Sequence, residues 1–294
     1  MKKLFYMAVA LAGITACSKS VPEGVVSGEI RFEIGMAPST RATAAAFEVG
    51  DRISLWAVEQ PGGENVPLQL GGNFLNNEVL ALGSSGWAAS QKLYWGASPL
   101  DFYAVYPVLT NVSSVESQPF TIQLDQNAPA SASALSGYEA SDLLYASAVG
   151  VSRKDGPVKL SFRHLMSKCT VRLIKGEEYE GEIPEDVTVH IYNTANSGQL
   201  DITKGSLVKN DFGARGTITA RKVSNTEFEA VLIPQNIELR TPLVEVSMGG
   251  IAYLLEYSLS FRPGYHHTID LTLNTSPDQE KIEISIDAGI DDWN

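Results

Sequence analysis

The sequence predicts an all-β chain folded as two β-sandwiches in tandem. Three observations carry this reading. Short stretches with period-2 alternation of apolar and polar residues recur along the chain. Clusters of glycine, proline, serine and asparagine separate them. Beyond Ile14 there is no long apolar stripe of helical period, and no strand–helix alternation of the kind that builds a parallel sheet.

The first element lies outside the fold. Met1-Lys2-Lys3 is followed by an apolar run from Leu4 to Ile14. A positive start and a short apolar run mark residues 1–16 as a signal peptide. A spanning helix would need about 20 apolar residues. The run closes with Ile14-Thr15-Ala16-Cys17, whose small residues suit a peptidase cleft. This stretch resembles a bacterial lipobox, which implies that Cys17 is lipidated and becomes the new N-terminus. Several acyl chains anchor durably, because each buried CH₂ adds roughly 0.8 kcal/mol.

Residues 17–46 read as a tether, a first strand and an exposed connection. In Glu29–Ile34 the side chains of Ile30, Phe32 and Ile34 share one face, and Glu29, Arg31 and Glu33 the other. Ala37 to Ala46 is polar, alanine-rich and without alternation. Residues 47–155 form the first expected sandwich. Its strands are Arg52–Val58, Leu93–Trp95, Leu100–Tyr106, the run with Phe120, Ile122 and Leu124, and Leu143–Val149. Residues 126–141, rich in Ala, Ser and Pro, read as a long loop.

The breaker-rich stretch Gly150–Pro157 predicts the domain boundary. Residues 156–294 form the second expected sandwich. There Val158, Leu160, Phe162 and His164 alternate, as do Cys169, Val171 and Leu173, and Val187, Val189 and Ile191. Phe228–Leu232, Leu243–Met248, Ala252–Phe261 and His267–Leu273 follow, and Ile282, Ile284 and Ile286 close the series.

The formal net charge is −12, and removal of Lys2 and Lys3 with the signal peptide makes it two units more negative. Such a surface argues against nucleic acid as a partner. Cys17 and Cys169 are the two cysteines, so a lipidated Cys17 leaves Cys169 without a disulfide partner. Cys169 sits in a strand-like stretch and reads as a buried structural thiol. Candidate chemistry is sparse. The sequence lacks a Gly-x-Ser-x-Gly elbow, a phosphate-cradling glycine loop and a His-Glu-x-x-His zinc motif. His266 and His267 are adjacent and would point to opposite faces of a strand, and His164 and His190 sit in separate strands. The expectation is a non-enzymatic protein without metal or cofactor. Trp56 and Trp95 read as core, whereas Trp293, almost at the chain end, must dock or stay exposed.

Taken in order, several stretches resemble the fimbrillins of Bacteroidales, the lipoprotein pilins of type V pili. They are the lipobox at Cys17, Thr40-Arg41-Ala42-Thr43, Phe47–Ile53, Leu93-Tyr94-Trp95 with Leu100–Pro107, and Ser141–Ala146. Ser161–Lys168 with Phe162 and His164, Val231–Gln235, Pro263-Gly264-Tyr265 and Ile290–Trp293 complete the set. The resemblance implies two transthyretin-like Greek-key sandwiches and a structural pilus subunit. It implies export by the lipoprotein machinery to the outer membrane and cutting by an arginine-specific protease. It further implies joining to other fimbrillin subunits by a strand that fills a vacated groove. The residues accommodate this scheme. Arg41, followed by Ala42, lies in the unpatterned segment, where proteases find accessible backbone. Ile30, Phe32 and Ile34 would leave with the cut strand. Ile282, Ile284 and Ile286 repeat their spacing and supply a candidate donor strand, with Trp293 as a distal lock. Two alternatives stay open: a tip or anchor subunit, and a non-polymerising surface lipoprotein that binds host or bacterial glycans or proteins. Metabolic labelling with a palmitate analogue should mark the protein, and Cys17→Ser should abolish both label and outer-membrane retention.

Overall fold

The computed structural model describes residues 28–37, 47–275 and 284–293. The first half contributes β1 (Phe32–Met36), β2 (Arg52–Glu59), β3 (Leu75–Gly83), β4 (Gly86–Ala89), β5 (Leu100–Tyr106), β6 (Gln118–Thr121), a short helix α1 (Gly137–Ser141), β7 (Leu144–Val151) and β8 (Val158–His164). The second contributes β9 (Ser167–Glu178), β10 (Thr188–Ala195), β11 (Ser197–Asp201), β12 (Ser206–Lys209), β13 (Arg215–Thr219), β14 (Arg221–Lys222) and β15 (Glu227–Leu232). It ends with β16 (Gln235–Ile237), β17 (Pro242–Met248), β18 (Ile251–Glu256), β19 (Leu259–Phe261), β20 (Tyr265–Thr275) and β21 (Ile284–Asp292). The chain is all-β, as the alternation predicts.

The first unit is a seven-stranded sheet in the order β1-β8-β7-β5-β2-β3-β4. It curls until its edge strands β1 and β4 approach each other. Ile53, Leu55, Phe102, Ala104, Leu160 and Phe162 fill the inside of the curl. Trp56, Val58, Val105 and Tyr145 point the other way and join the core shared with the second unit. Strand β2 is therefore buried on both faces from Ile53 to Val58. That explains why Ile-Ser-Leu-Trp-Ala-Val reads as a nearly continuous apolar run rather than an alternation.

The second unit packs a five-stranded sheet, β14-β15-β9-β20-β21, with a four-stranded sheet, β13-β10-β17-β18. Val171, Leu173, Ile269 and Leu271 face Val189, Ile191, Val244 and Val246 in one core cluster. A small sheet, β12-β11-β6, carries β6 of the first half onto β11 of the second. Arg163 adds a second tie, donating to the Gly205 carbonyl at 2.6 Å while lying 5.5 Å from the centre of the Tyr145 ring.

Three expectations need correction. The division at Gly150–Pro157 is not where the two cores part. Strand β8, assigned to the second domain, pairs with β1 and β7 in the first sheet. Gly150 and Gly156 both adopt positive φ and bracket a turn at Arg153–Asp155, so the breakers fold a hairpin between β7 and β8. The parting comes at Leu165-Met166, where the chain crosses into β9. Residues 126–141 are not all loop, because α1 forms there. Ser136 accepts from the Glu139 amide and Glu139 accepts from the Ser136 amide, a capping box that lets so short a helix form. Leu93–Trp95 is not a strand of the main sheet. It bridges the residues ahead of β1 instead, with Ile30 N–H donating to Leu93 O at 2.8 Å and Trp95 N–H to Gly28 O at 3.0 Å.

Gly205 offers a test of the packing between the units. Its φ is +62°, and a Cβ there would sit 2.2 Å from ring carbons of the buried Tyr145. Gly205→Ala should cost about 1–3 kcal/mol, the usual penalty of overpacking, read as a lower midpoint in urea with an unchanged slope.

Candidate functional site: the terminal strands and the cleft between them

The strands nearest the two chain ends lie on the edges of different sheets. Strand β1 runs parallel to β8, with Phe32 opposite Val158 and Met36 opposite Phe162. The expected inward residues do turn inward. Ile30 is buried, Phe32 and Ile34 are half-buried, and all three pack on the first unit's inner core. Phe32 sets its ring edge to face against Phe102, with centroids 6.1 Å apart. Glu33 faces out toward Lys159, at 3.8 Å. The strand begins three residues after the alternating stretch does, because Ile30 is spent on the bridge to Leu93.

Strand β21 pairs antiparallel with β20, from Ile284 opposite Leu273 to Asp292 opposite Tyr265. Ile284 and Ile286 turn into the second core, half-buried. Beyond them the strand is mostly exposed, Ile290 included although it shares their face. It ends at Trp293. The Trp293 amide donates to the Gly264 carbonyl at 2.9 Å. The indole lies flat on the imidazole of His164, with centroids 3.8 Å apart and planes 15° apart. His164 closes β8, and its Nδ1–H donates to Asp142 at 2.8 Å. Thus a side chain on the last strand of the second unit docks on the first.

Around this stack lies a cleft of about 570 Å³. Met36 at the end of β1 and Phe47, where the described chain resumes, line one side. The outer face of the five-stranded sheet lines the other, through Lys168, Thr170, Arg172, Arg221, Glu229 and His266. Lys168 lies 2.5 Å from Glu229, and Arg221 bonds the same carboxylate while its guanidinium covers the Tyr138 ring. Burial pushes the Glu229 carboxyl up, but the bonds from Lys168 and Arg221 outweigh it and hold the pKa below its ordinary value. Arg172 grips Asp270 with two bonds of 2.6 Å. The cations of this wall are therefore occupied by carboxylates.

The chemistry this arrangement supports is slight. The His164–Asp142 pair is half of a catalytic relay, but Trp293 covers the ring and Nε2 is buried without a described partner. Cys169 is fully buried, and burial pushes its thiol up to about 12, so it is no nucleophile at neutral pH. His266 and His267 point to opposite faces, as their adjacency predicts. His266 hydrogen-bonds Thr170 at the cleft, and His267 points inward with Nε2 accepting from the Arg262 amide. Among the described residues, no group of three or more His, Cys, Asp or Glu is placed to hold a metal ion. Trp56 and Trp95 are core residues, as expected. Cys17, Arg41, Ala42 and Ile282 lie outside the described residues. The Trp293–His164 stack joins residues far apart in the chain, and no local pattern announces it.

A model of the fimbrillin-like family matches residues 40–293. Among solved structures, a candidate cell adhesion protein from Bacteroides uniformis is 17% identical, with a TM-score of 0.67 over 91% of this chain and 98% of that one. A second, from Bacteroides ovatus, is 18% identical, with a TM-score of 0.66 over 90% and 97%. A fimbrial protein from Bacteroides vulgatus is 12% identical, with a TM-score of 0.52 over 90% and 99%. At such identities the likeness establishes the fold. A search of curated proteins finds no match.

The inward histidine yields a pH dependence. Burial, then the nearby charges of His266 and Arg262, lower the His267 pKa from 6.5 to about 4. Between those values the unfolded chain binds the proton that the folded one refuses, so stability falls as pH drops from 6.5 toward 4. Thermal midpoints should decline across that window, and His267→Leu should show a shallower decline.

Proposed function

The chain belongs to the fimbrillin-like family, a fimbrial or adhesion protein of the cell surface rather than an enzyme, and from that premise we propose that it is a pilus subunit that polymerises by exchange of strands. In this reading the chain reaches the outer membrane as a lipoprotein anchored at Cys17. An arginine-specific protease cuts after Arg41. Strand β1 then leaves with the anchor, and a strand from a neighbouring subunit takes its place.

The observation that carries the reading is the position of β1. It is an edge strand, laddered on one side only, at the start of the described chain and just ahead of the segment holding Arg41. Its departure need not disturb the strand order of the rest of the sheet. It would uncover the surface on which Ile30, Phe32 and Ile34 rest, and the open edge of β8 with it. A fully buried apolar side chain is worth roughly 1.5–3 kcal/mol. With one such residue and two half-buried, the vacated groove offers several kcal/mol to a replacement. Backbone pairing along β8 adds affinity, and pockets for alternate side chains add selectivity.

The best donor in this chain is β21, with Ile284 and Ile286 at the spacing of Phe32 and Ile34 and Trp293 beyond them. It too is an edge strand, so it can leave its sheet without breaking an interior ladder. The partners on this reading are other fimbrial subunits. A glycan-binding surface built on tryptophan is not favoured, because Trp56 and Trp95 are buried and Trp87 and Trp293 half-buried.

Sequencing of protein recovered from the cell surface should find an N-terminus at Ala42. Arg41→Ala, and separately removal of residues 281–294, should each abolish polymers seen by electron microscopy. Polymers that persist in the first variant remove the processing step, and polymers that persist in the second remove the donor assignment.

A further inference from the structure

The two exchanging strands are connected through β8. Along Val158–Phe162 the ladder partner of β8 is β1. Strand β7 takes over only at the end, where Tyr145 pairs with Arg163 and Leu144 with His164. The Ala37 amide extends the hold of β1 by donating to Phe162 O at 2.7 Å. Two residues further on, His164 carries the Trp293 indole. One short strand thus holds β1 along most of its length and the tip of β21 at its end. Most of the outer half of β21 is exposed, so its far end is held by its ladder with β20, the Gly264 bond and the docked indole, and of these the indole is the tie to β8.

We propose that the Trp293–His164 stack is a latch: it keeps β21 on its own sheet while β1 occupies β8, and departure of β1 releases it. This rests on the strand-exchange reading and adds an order of events to it. With β1 gone, Val158–Phe162 lose their ladder, and the end of β8 is left held by β7 and the turn into β9. The platform under the indole loosens, and β21 frays from Trp293 inward. A subunit that still has its first strand keeps its last strand at home, so premature joining is suppressed at the donor as well as at the groove.

The test is hydrogen–deuterium exchange of β21 amides in the full chain, with β15 amides as the control for folding. Trp293→Ala should speed exchange in β21 at least tenfold and leave β15 unchanged. Trp293→Phe keeps an aromatic face for His164 and should stay within threefold of the parent. Phe32→Ser with Ile34→Ser, which loosens β1 and leaves the indole intact, should also speed β21 at least tenfold. Ile34→Ala replaces that pair if β15 shows that it does not fold, with threefold as the expected gain. Combining either β1 variant with Trp293→Ala should add less than threefold to Trp293→Ala alone. Unchanged β21 exchange in Trp293→Ala overturns the latch. Fast exchange in Trp293→Ala beside unchanged exchange in both β1 variants overturns the coupling. Polymer formation is read separately. If polymers survive deletion of residues 281–294 while the exchange pattern appears as stated, the donor assignment fails and the latch stands as a property of the subunit.

Discussion

Strand β8 is the constraint on which the rest of the molecule depends. Its alternation is strict: Val158, Leu160, Phe162 and His164 are buried and Lys159, Ser161 and Arg163 exposed. The buried set fixes its register against the first core, since a slip of one residue would turn every one of these side chains to the wrong face. With its register fixed, β8 sets the height of β1 and presents the Phe162 carbonyl to Ala37. It also places His164 where Asp142 can orient the ring. Immediately after it, Leu165 bonds back to Leu143 O, and Met166 O accepts from Gly264. The crossing into the second unit is therefore pinned from both sides.

Much of this was legible in the residues, and the failures have physical causes. Period 2 revealed β1, β8 and β20 because each has one face on a core and one toward water or a polar cleft. It also identified Ile30, Phe32 and Ile34 as an inward set. It could not place β8, because positive-φ glycines and a proline mark a tight hairpin and a linker alike. Only the partners of Val158, Leu160 and Phe162 decide between them, and those lie far away in the chain. Residues 126–141 read as loop because an alanine- and serine-rich stretch hides a helix of five residues, one of which is glycine, and its capping box shows only once Ser136 and Glu139 are seen to pair. The site was legible as two terminal strands and a lone tryptophan. The meeting of Trp293 with His164 was not, because contacts between units leave no period in sequence.

The cleft between the units shows how a polar wall is kept from becoming a reactive one. Lys168 and Arg221 share Glu229, and Arg172 holds Asp270, so each cation beside the cleft already has an anion. Glu229 is largely buried, and removal of one partner would leave a poorly compensated charge, which costs far more than an exposed pair is worth. These pairs give the outer face of the five-stranded sheet a fixed pattern of charge. Side chains from the first unit face it across the cleft, among them the aromatic pair Phe47 and Tyr106.

The parallel pairing of β1 with β8 has a mechanical side. Any pull that reaches the folded body from residues preceding Gly28 meets the bridge from Gly28 and Ile30 to Leu93–Trp95 and then β1. Pulled along its own axis, the strand loads its five backbone pairs with β8 together, in shear. Pulled across that axis, it opens them one after another, beginning at Phe32. The same contacts therefore resist drag in line with the strand and yield to peeling. The first strand can therefore hold under an axial load and still come away when it is lifted from one end.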